Sequence, residues 1–157
     1  MDLYTVGYEG LEIDEFTQFL KRHKIQVVAD LRKNPVSRKR GFSKRRLAEA
    51  LALKRIGYQH FPQLGTPTAW RKLAKEKKIT RREMFQRYER EVLPRGEPDL
   101  RLLSALLREK RVALLCYEAE AGDCHRTHVS RRLRRRLKSR LKVVDLRAKR
   151  PSLKGWS

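Results

Sequence analysis

Apolar residues along this chain fall into short continuous runs separated by stretches with helical spacing. The runs at 3–8, 25–30, 58–61, 112–117 and 143–146 have the length of buried strands. The stretches between them repeat apolar residues every three or four positions, as helices packed on one face do. The resulting order, βαβαβαααβαβ, predicts an α/β fold: a single domain with a mainly parallel sheet of about five strands and helices on both faces.

Several predicted helix starts carry capping signals. Ser43 and Asp99 stand where an N-cap residue is expected, and Thr80 with Glu83 forms a capping box. These signals place helix starts near residues 43, 80 and 99.

Chain length and cysteine content limit the classes of protein to which this sequence can belong. The 157 residues suit one domain, expected over 1–147, followed by a basic, flexible tail over 148–157. Only two cysteines occur, Cys116 and Cys124, and neither a signal peptide nor an 18-residue apolar run is present. The sequence therefore favours a cytoplasmic protein with reduced thiols and no membrane span.

The charge balance points to the class of partner. The net charge is +22, with 40 Lys and Arg against 18 Asp and Glu, and the pI is about 10.8. Such an excess favours a polyanionic partner, either nucleic acid or a phosphorylated ligand. A thermophilic origin also fits the ion-rich composition, but balanced ion-pair networks would require more acidic residues.

Reactive side chains collect at the predicted strand ends. In an open parallel sheet these ends lie at one edge, and ligands bind there. A carboxylate paired with a second carboxylate or with a histidine is a usual means of acid–base catalysis, and a cysteine can act as a nucleophile. The candidate catalytic residues at these ends are Glu9, Asp30, His60, Glu118 and Cys124.

Cationic residues at the same edge predict an anion site. His125 and Arg126 stand where the last long helix starts, and a helix N-terminus attracts anions. The segment 32–46 holds eight cations and no acid. Asp30, just before it, is expected to orient an arginine or to act as a base. The candidate anion-binding residues are Arg32, Ser37, Arg38, His125 and Arg126.

The last long helix carries a second cationic set. Seven cations surround its leucine stripe and no acidic residue accompanies them, a repulsive arrangement unless a polyanion lies nearby. Aromatic residues do not interleave with these cations, so contact with a nucleic-acid backbone is favoured over base stacking. The candidate docking residues are Arg40, Lys44, Arg131, Arg134, Arg135 and Lys138.

A set of four motifs carries a family resemblance. In chain order they are LYTVGYEG, VVADLRKNPVSRKRGFS, GYQHFPQLG and ALLCYEAEAGDCHR. The set resembles a bacterial and archaeal family catalogued as domain of unknown function 488. The resemblance implies an α/β fold and a shared site that also includes Tyr8, Pro35 and Cys116. It supplies no reaction, although members are sometimes labelled DNA-repair-like. Glu12 departs from the small hydroxyl residue expected at the first helix cap.

Three functions stay open at this point. The first is an enzyme, a hydrolase or transferase, that acts by acid–base chemistry on nucleic acid or a nucleotide held in the anion crevice. The second is a non-catalytic nucleic-acid-binding protein. The third is rhodanese-like or phosphatase-like thiol chemistry at Cys124 or Cys116, although the spacing from either cysteine to Arg126 does not match that class.

A metal site is disfavoured by spacing. Cys116, Cys124, His125 and His128 could supply two thiolates and two imidazoles, but seven residues separate the thiols, more than structural zinc sites use. We expect neither a metal nor a cofactor.

Overall fold

The chain forms one five-stranded parallel sheet. The computed structural model describes residues 1–117 and 125–148. The strands lie in the order β3-β2-β4-β1-β5 and every neighbouring pair is parallel. Their bounds are β1 (Asp2–Gly7), β2 (Val27–Asp30), β3 (Gly57–His60), β4 (Val112–Cys116) and β5 (Lys142–Leu146). The prediction of a single α/β domain with five parallel strands is confirmed, whereas the sequence had not indicated the strand order.

Helices connect the strands. They are α1 (Ile13–Arg22), α2 (Lys44–Leu53), α3 (Thr68–Lys75), α4 (Arg81–Arg87), α5 (Leu93–Arg95), α6 (Glu97–Glu109) and α7 (Arg126–Leu137). A π-helical turn, Tyr88–Val92, joins α4 to α5, and 3-10 turns lie at Pro62–Leu64 and Lys138–Arg140. No helix in the described ranges is long and apolar enough to cross a membrane.

Two hydrophobic cores sandwich the sheet. Phe16 of α1 and Leu47 of α2 pack with Val28 of β2 in one buried cluster. Leu103 of α6 and Val129 of α7 belong to the cluster on the opposite face. Neighbouring strand residues alternate between the clusters, because successive side chains point to opposite faces of a sheet. The central strand β4 is buried along its whole length, as its continuous apolar run predicts.

The capping predictions have mixed outcomes. Thr80 caps α4 through the predicted box, since its Oγ1 accepts from the Glu83 N–H at 3.0 Å. Ser43 stands at the N-cap of α2, but its side chain makes no capping hydrogen bond. The prediction for Asp99 is wrong: α6 begins earlier, at Glu97, and the Asp99 carboxylate accepts from the Gln63 N–H at 3.3 Å.

The topology places a reversal of connection direction between β4 and β1. β1 leads through α1 to β2 on one side, whereas its neighbour β4 leads through α7 to β5 on the other side. Adjacent strands whose connections run in opposite directions leave an opening beyond their carboxyl ends, the usual ligand position in open α/β sheets. Of the predicted tail over 148–157, only Ala148 belongs to the described residues, so the tail stays a prediction.

Candidate anion-binding site at the strand ends

The strand register brings the predicted site residues to one edge. Asp30, the last residue of β2, pairs with His60 of β3 and with Leu115 of β4. Gly7 of β1 pairs with Cys116 of β4, and the Glu9 N–H donates to the Tyr117 carbonyl at 2.8 Å. Four strand ends therefore lie side by side, as a parallel sheet requires.

Asp30 and Arg32 form a buried ion pair at this edge of the sheet. The Arg32 Nε and Nη2 donate to the two carboxylate oxygens of Asp30 at 2.9 and 2.8 Å. The remaining nitrogen, Nη1, donates to the Phe42 carbonyl at 2.6 Å and to the Tyr8 hydroxyl at 3.2 Å. Asp30 also accepts from the Tyr58 hydroxyl at 2.5 Å. We call Tyr8, Asp30, Arg32 and Tyr58 the strand-end network.

The network raises the pKa of two of its members, Arg32 and Tyr58. Burial opposes the charge of Arg32, but the hydrogen bonds and charge of Asp30 outweigh it and raise the arginine's pKa. Burial and then the negative charge of Asp30 raise the pKa of Tyr58 well above its usual value. Tyr58 is thus a neutral donor and Arg32 a permanent cation at physiological pH.

Aromatic rings pack against the network on the side of β1. The rings of Tyr8 and Phe42 stack with centroids 4.3 Å apart, and Tyr117 meets Tyr8 edge-on at 5.3 Å. The Arg32 guanidinium lies 5.4 Å from the Tyr8 ring centroid, within cation–π range. Tyr8, singled out by the motif, therefore positions Arg32.

His60 and Gly65 hold the turn that follows β2. The His60 Nε2 donates to the Arg32 carbonyl at 2.6 Å, which fixes the backbone at the start of the basic segment. A side chain on Gly65 would lie 2.4 Å from the Lys33 nitrogen, so only glycine lets the two loops touch. The motif that contains both residues therefore joins the loops after β2 and β3.

The basic segment folds into a shaped loop. The Ser43 Oγ accepts from the Ser37 N–H at 3.0 Å and donates to the Ser37 carbonyl at 3.2 Å, while the Ser37 Oγ accepts from the Lys39 N–H. The Pro35 carbonyl accepts from the Lys44 N–H at 2.8 Å. Arg38 and Arg40 are exposed on this loop, and Lys44 is exposed at the start of α2.

The start of α7 is a second buried polar region. His125 is 8 % exposed and Arg126 is 1 % exposed. The His125 Nδ1 lies 3.2 Å from the Thr66 Oγ1, and its ring centroid lies 5.8 Å from that of Tyr88. The other imidazole nitrogen, Nε2, is buried and has no hydrogen-bond partner among the described residues. We call Thr66, Arg71, Tyr88, His125 and Arg126 the α7 entrance.

The imidazole of His125 is held neutral. Burial first, and then the nearby positive charges of Arg71 and Arg126, lower its pKa from 6.5 to about 3. The charges of Arg71 and Arg126 act on the ring more strongly than the opposing charge of Asp30. This surplus of positive charge at a helix N-terminus would favour an anion placed there.

Of the two cysteines and Glu118, the structure describes only Cys116. Glu118 and Cys124 lie outside the described residues. Cys116 is buried at the end of β4 and is disulfide-bonded, so the expectation of a reduced thiol at this position is wrong. The described residues contain no cluster of three His, Cys, Asp or Glu side chains arranged to hold a metal.

The candidate docking residues on α7 and just after it are exposed to solvent. Arg131, Arg134, Arg135 and Lys138 are all exposed. The expectation that the helix cations have no acidic partner is wrong at Arg136, which forms an ion pair with Glu97 of α6. That partner comes from a packed neighbouring helix, which the charge pattern of α7 alone does not show.

Several residues of the site were missed in the sequence. Tyr58 precedes His60 by two positions, so strand alternation placed it on the same face and could have revealed it. Thr66 and Tyr88 contact His125, and the charge of Arg71 acts on it, from three other segments. None of the three left a local signal in the sequence.

Comparison with known sequences identifies most of the chain. The sequence model of the family described as Domain of unknown function DUF488 matches residues 12–133. Neither the comparison with curated proteins nor the comparison with solved structures found a match.

Proposed function

Because the chain belongs to the DUF488 family, whose description assigns no activity, we propose a function from the site itself: it binds the phosphate backbone of nucleic acid. One phosphate is seated at the α7 entrance, and the exposed cations of α7 and of the loop after β2 contact neighbouring phosphates. The observation that carries this proposal is the buried His125 Nε2, which lacks a hydrogen-bond partner among the described residues. It lies at a helix N-terminus where two arginine charges act on it.

Binding is supported better than acid–base catalysis. Both carboxylate oxygens of Asp30 accept hydrogen bonds from Arg32, and His60 uses its Nε2 to hold a backbone carbonyl. A general base needs a free lone pair within reach of a substrate proton, and these groups are already engaged. Arg32 is engaged in the same way, so we assign it to the crevice wall and assign anion contact to His125 and Arg38.

Exposed cations supply the sequence-independent part of the affinity. Each phosphate that a lysine or arginine neutralises releases counterions, so affinity falls steeply as salt rises. Arg131, Arg134 and Arg135 are exposed on α7. Arg40 is exposed on the loop after β2, and Lys44 is exposed at the start of α2, where that loop ends. α7 and the loop after β2 both begin beyond the carboxyl ends of the strands. One strand of nucleic acid can therefore contact both.

The test compares two triple variants with the same loss of charge. Arg131→Gln, Arg134→Gln and Arg135→Gln remove cations from α7. Lys21→Gln, Arg22→Gln and Lys110→Gln remove exposed cations from the opposite edge of the sheet. With labelled nucleic acid in fluorescence anisotropy, the α7 variant should bind about tenfold more weakly and lose about one unit of salt slope per phosphate contact. Equal losses in both variants, or no binding by the wild type, would contradict the proposal.

The phosphate seat is tested separately by NMR. Inorganic phosphate should shift the imidazole resonances of His125, and Arg71→Gln should weaken this titration. Unchanged His125 resonances would remove the seat from the proposal. Processing of labelled nucleic acid that Glu9→Gln abolishes would favour the acid–base enzyme instead.

A further inference from the structure

A helical hairpin beside the site carries a third basic surface. α3 and α4 are joined by a turn over residues 76–80, in which Lys77 adopts φ +60°. Between Arg71 and Arg82 the chain has seven cations and one acid, Glu76. All eight of these side chains are exposed. We call residues 68–87 the basic hairpin.

Both helices of the hairpin contact the rest of the fold. Its first residue, Thr68, accepts a hydrogen bond from the Asn34 side chain at 2.7 Å, which ties it to the loop after β2. The capping box of Thr80 fixes the start of α4, and Met84 is buried beneath that helix. Phe85 stacks on His128 of α7 with centroids 4.7 Å apart. The hairpin is therefore held to the fold mainly through α4, since α3 buries no residue.

The hairpin is continuous with the proposed binding surface. The Nδ1 of His128 on α7 lies 2.8 Å from the Glu89 carboxylate, just beyond α4. The charge of Arg71 on α3 acts on His125 at the α7 entrance. The basic hairpin, the loop after β2 and α7 therefore surround the same crevice.

The surface of the hairpin suits a duplex better than a single strand. Proteins that bind single strands combine cations with exposed aromatic rings on which bases stack. The hairpin has two aromatic residues, Trp70 and Phe85. Arg87 covers the Trp70 ring at 4.5 Å, and Phe85 packs between Arg81 and His128. Exposed cations on two helices, with the rings covered, favour contact with the phosphates of a double helix over stacking of unpaired bases.

We propose that the basic hairpin is a docking surface for double-stranded nucleic acid, contacting its phosphates through Lys72, Lys75 and Arg82. This inference rests on the proposed function and names the form of nucleic acid that it takes. None of these three cations forms an ion pair with a described residue, so their substitution leaves the described salt bridges intact.

The experiment measures affinity for a labelled mixed-sequence DNA duplex of about 20 base pairs and for one of its strands. The wild type should bind the duplex more tightly. The variant Lys72→Gln, Lys75→Gln, Arg82→Gln should lose about tenfold in duplex affinity and about 2 to 3 units of salt slope. The control variant at Lys21, Arg22 and Lys110 should lose less than about twofold.

The outcomes separate the two proposals. If the hairpin variant matches the control while the α7 variant binds weakly, the proposed function stands and the hairpin inference is overturned. Tighter binding to the single strand also overturns it. If the wild type binds neither probe, both proposals fall. Acetylation footprinting of the wild type adds a measurement that needs no variant: duplex should protect Lys72 and Lys75 but not Lys110, and equal labelling would count against docking.

Discussion

The strand-end network and the α7 entrance lie at the same edge of the sheet, yet they differ in how completely their polar groups are paired. In the network, Arg32 donates from all three nitrogens and Asp30 accepts at both oxygens. At the entrance, His125 keeps one buried nitrogen without a partner among the described residues. The buried His125 Nε2 therefore differs from the polar groups of the network, which are all paired.

The difference follows from the cost of burying charge. A buried ion pair is tolerated only when its geometry is good and its remaining hydrogen-bonding groups are satisfied. The network meets that condition without a ligand. The entrance instead lowers the cost by keeping its imidazole neutral, since burial and two neighbouring cations depress the pKa of His125. Degree of pairing, more than local charge density, distinguishes the strand-end network from the imidazole of His125.

The largest expected change in the free energy of unfolding comes from a substitution in the strand-end network. Arg32→Met leaves the buried Asp30 carboxylate without its cation, so the free energy of unfolding should fall by about 3–5 kcal/mol. Urea denaturation measures this loss. The control Arg45→Met breaks an exposed pair with Glu49 and should cost less than about 1 kcal/mol. A loss below about 1 kcal/mol in Arg32→Met would show that the network is not structural.

The second prediction concerns how the free energy of unfolding depends on pH through His125 at the α7 entrance. Because the pKa of His125 is about 3 in the folded protein and 6.5 when exposed, the unfolded state binds more protons below pH 6.5. Stability contributed by this residue should therefore decline by about 1.4 kcal/mol per pH unit as pH falls from 6.5 towards 3. Denaturation at several pH values should show that His125→Asn lacks this contribution. Thr66→Val, which keeps the imidazole, should retain it, and an identical pH dependence in wild type and His125→Asn would contradict the assignment.

A third effect probes the contact between the loops after β2 and β3. In Gly65→Ala the new Cβ overlaps backbone atoms of Lys33 and Leu31, so a loss of about 1–3 kcal/mol is expected from thermal or urea unfolding. Gly57→Ala is the matched control, since its nearest atom lies 3.5 Å away and the change should be tolerated. Similar losses in both variants would mean that close approach at Gly65 is not the cause.

The smallest stability effect is expected on the docking surface. Removing Arg131, Arg134 and Arg135 together relieves repulsion between like charges, so the free energy of unfolding should stay within about 0.5 kcal/mol of the wild type or rise. Nucleic-acid affinity should fall in the same protein. A large loss of stability would place these arginines with the network instead.

Much of the fold was predicted from local pattern. Strand and helix positions follow from apolar spacing, because burial on one or both faces imposes a period on the sequence. The strand ends were identified for the same reason, and Asp30 could be paired with Arg32 because the two residues are close in sequence. The family was found from the four motifs, and the match over residues 12–133 confirms it.

The amino-acid sequence by itself determined the α/β class, the parallel sheet and the edge at which the reactive residues collect. Tertiary structure alone decided the strand order, the contact of Tyr8 with Arg32 across 24 residues and that of Thr66 with His125 across 59. The physical reason is that periodicity records only whether a side chain is buried. Which distant group satisfies a buried charge depends on which strands become neighbours, and that choice is made by packing the whole chain.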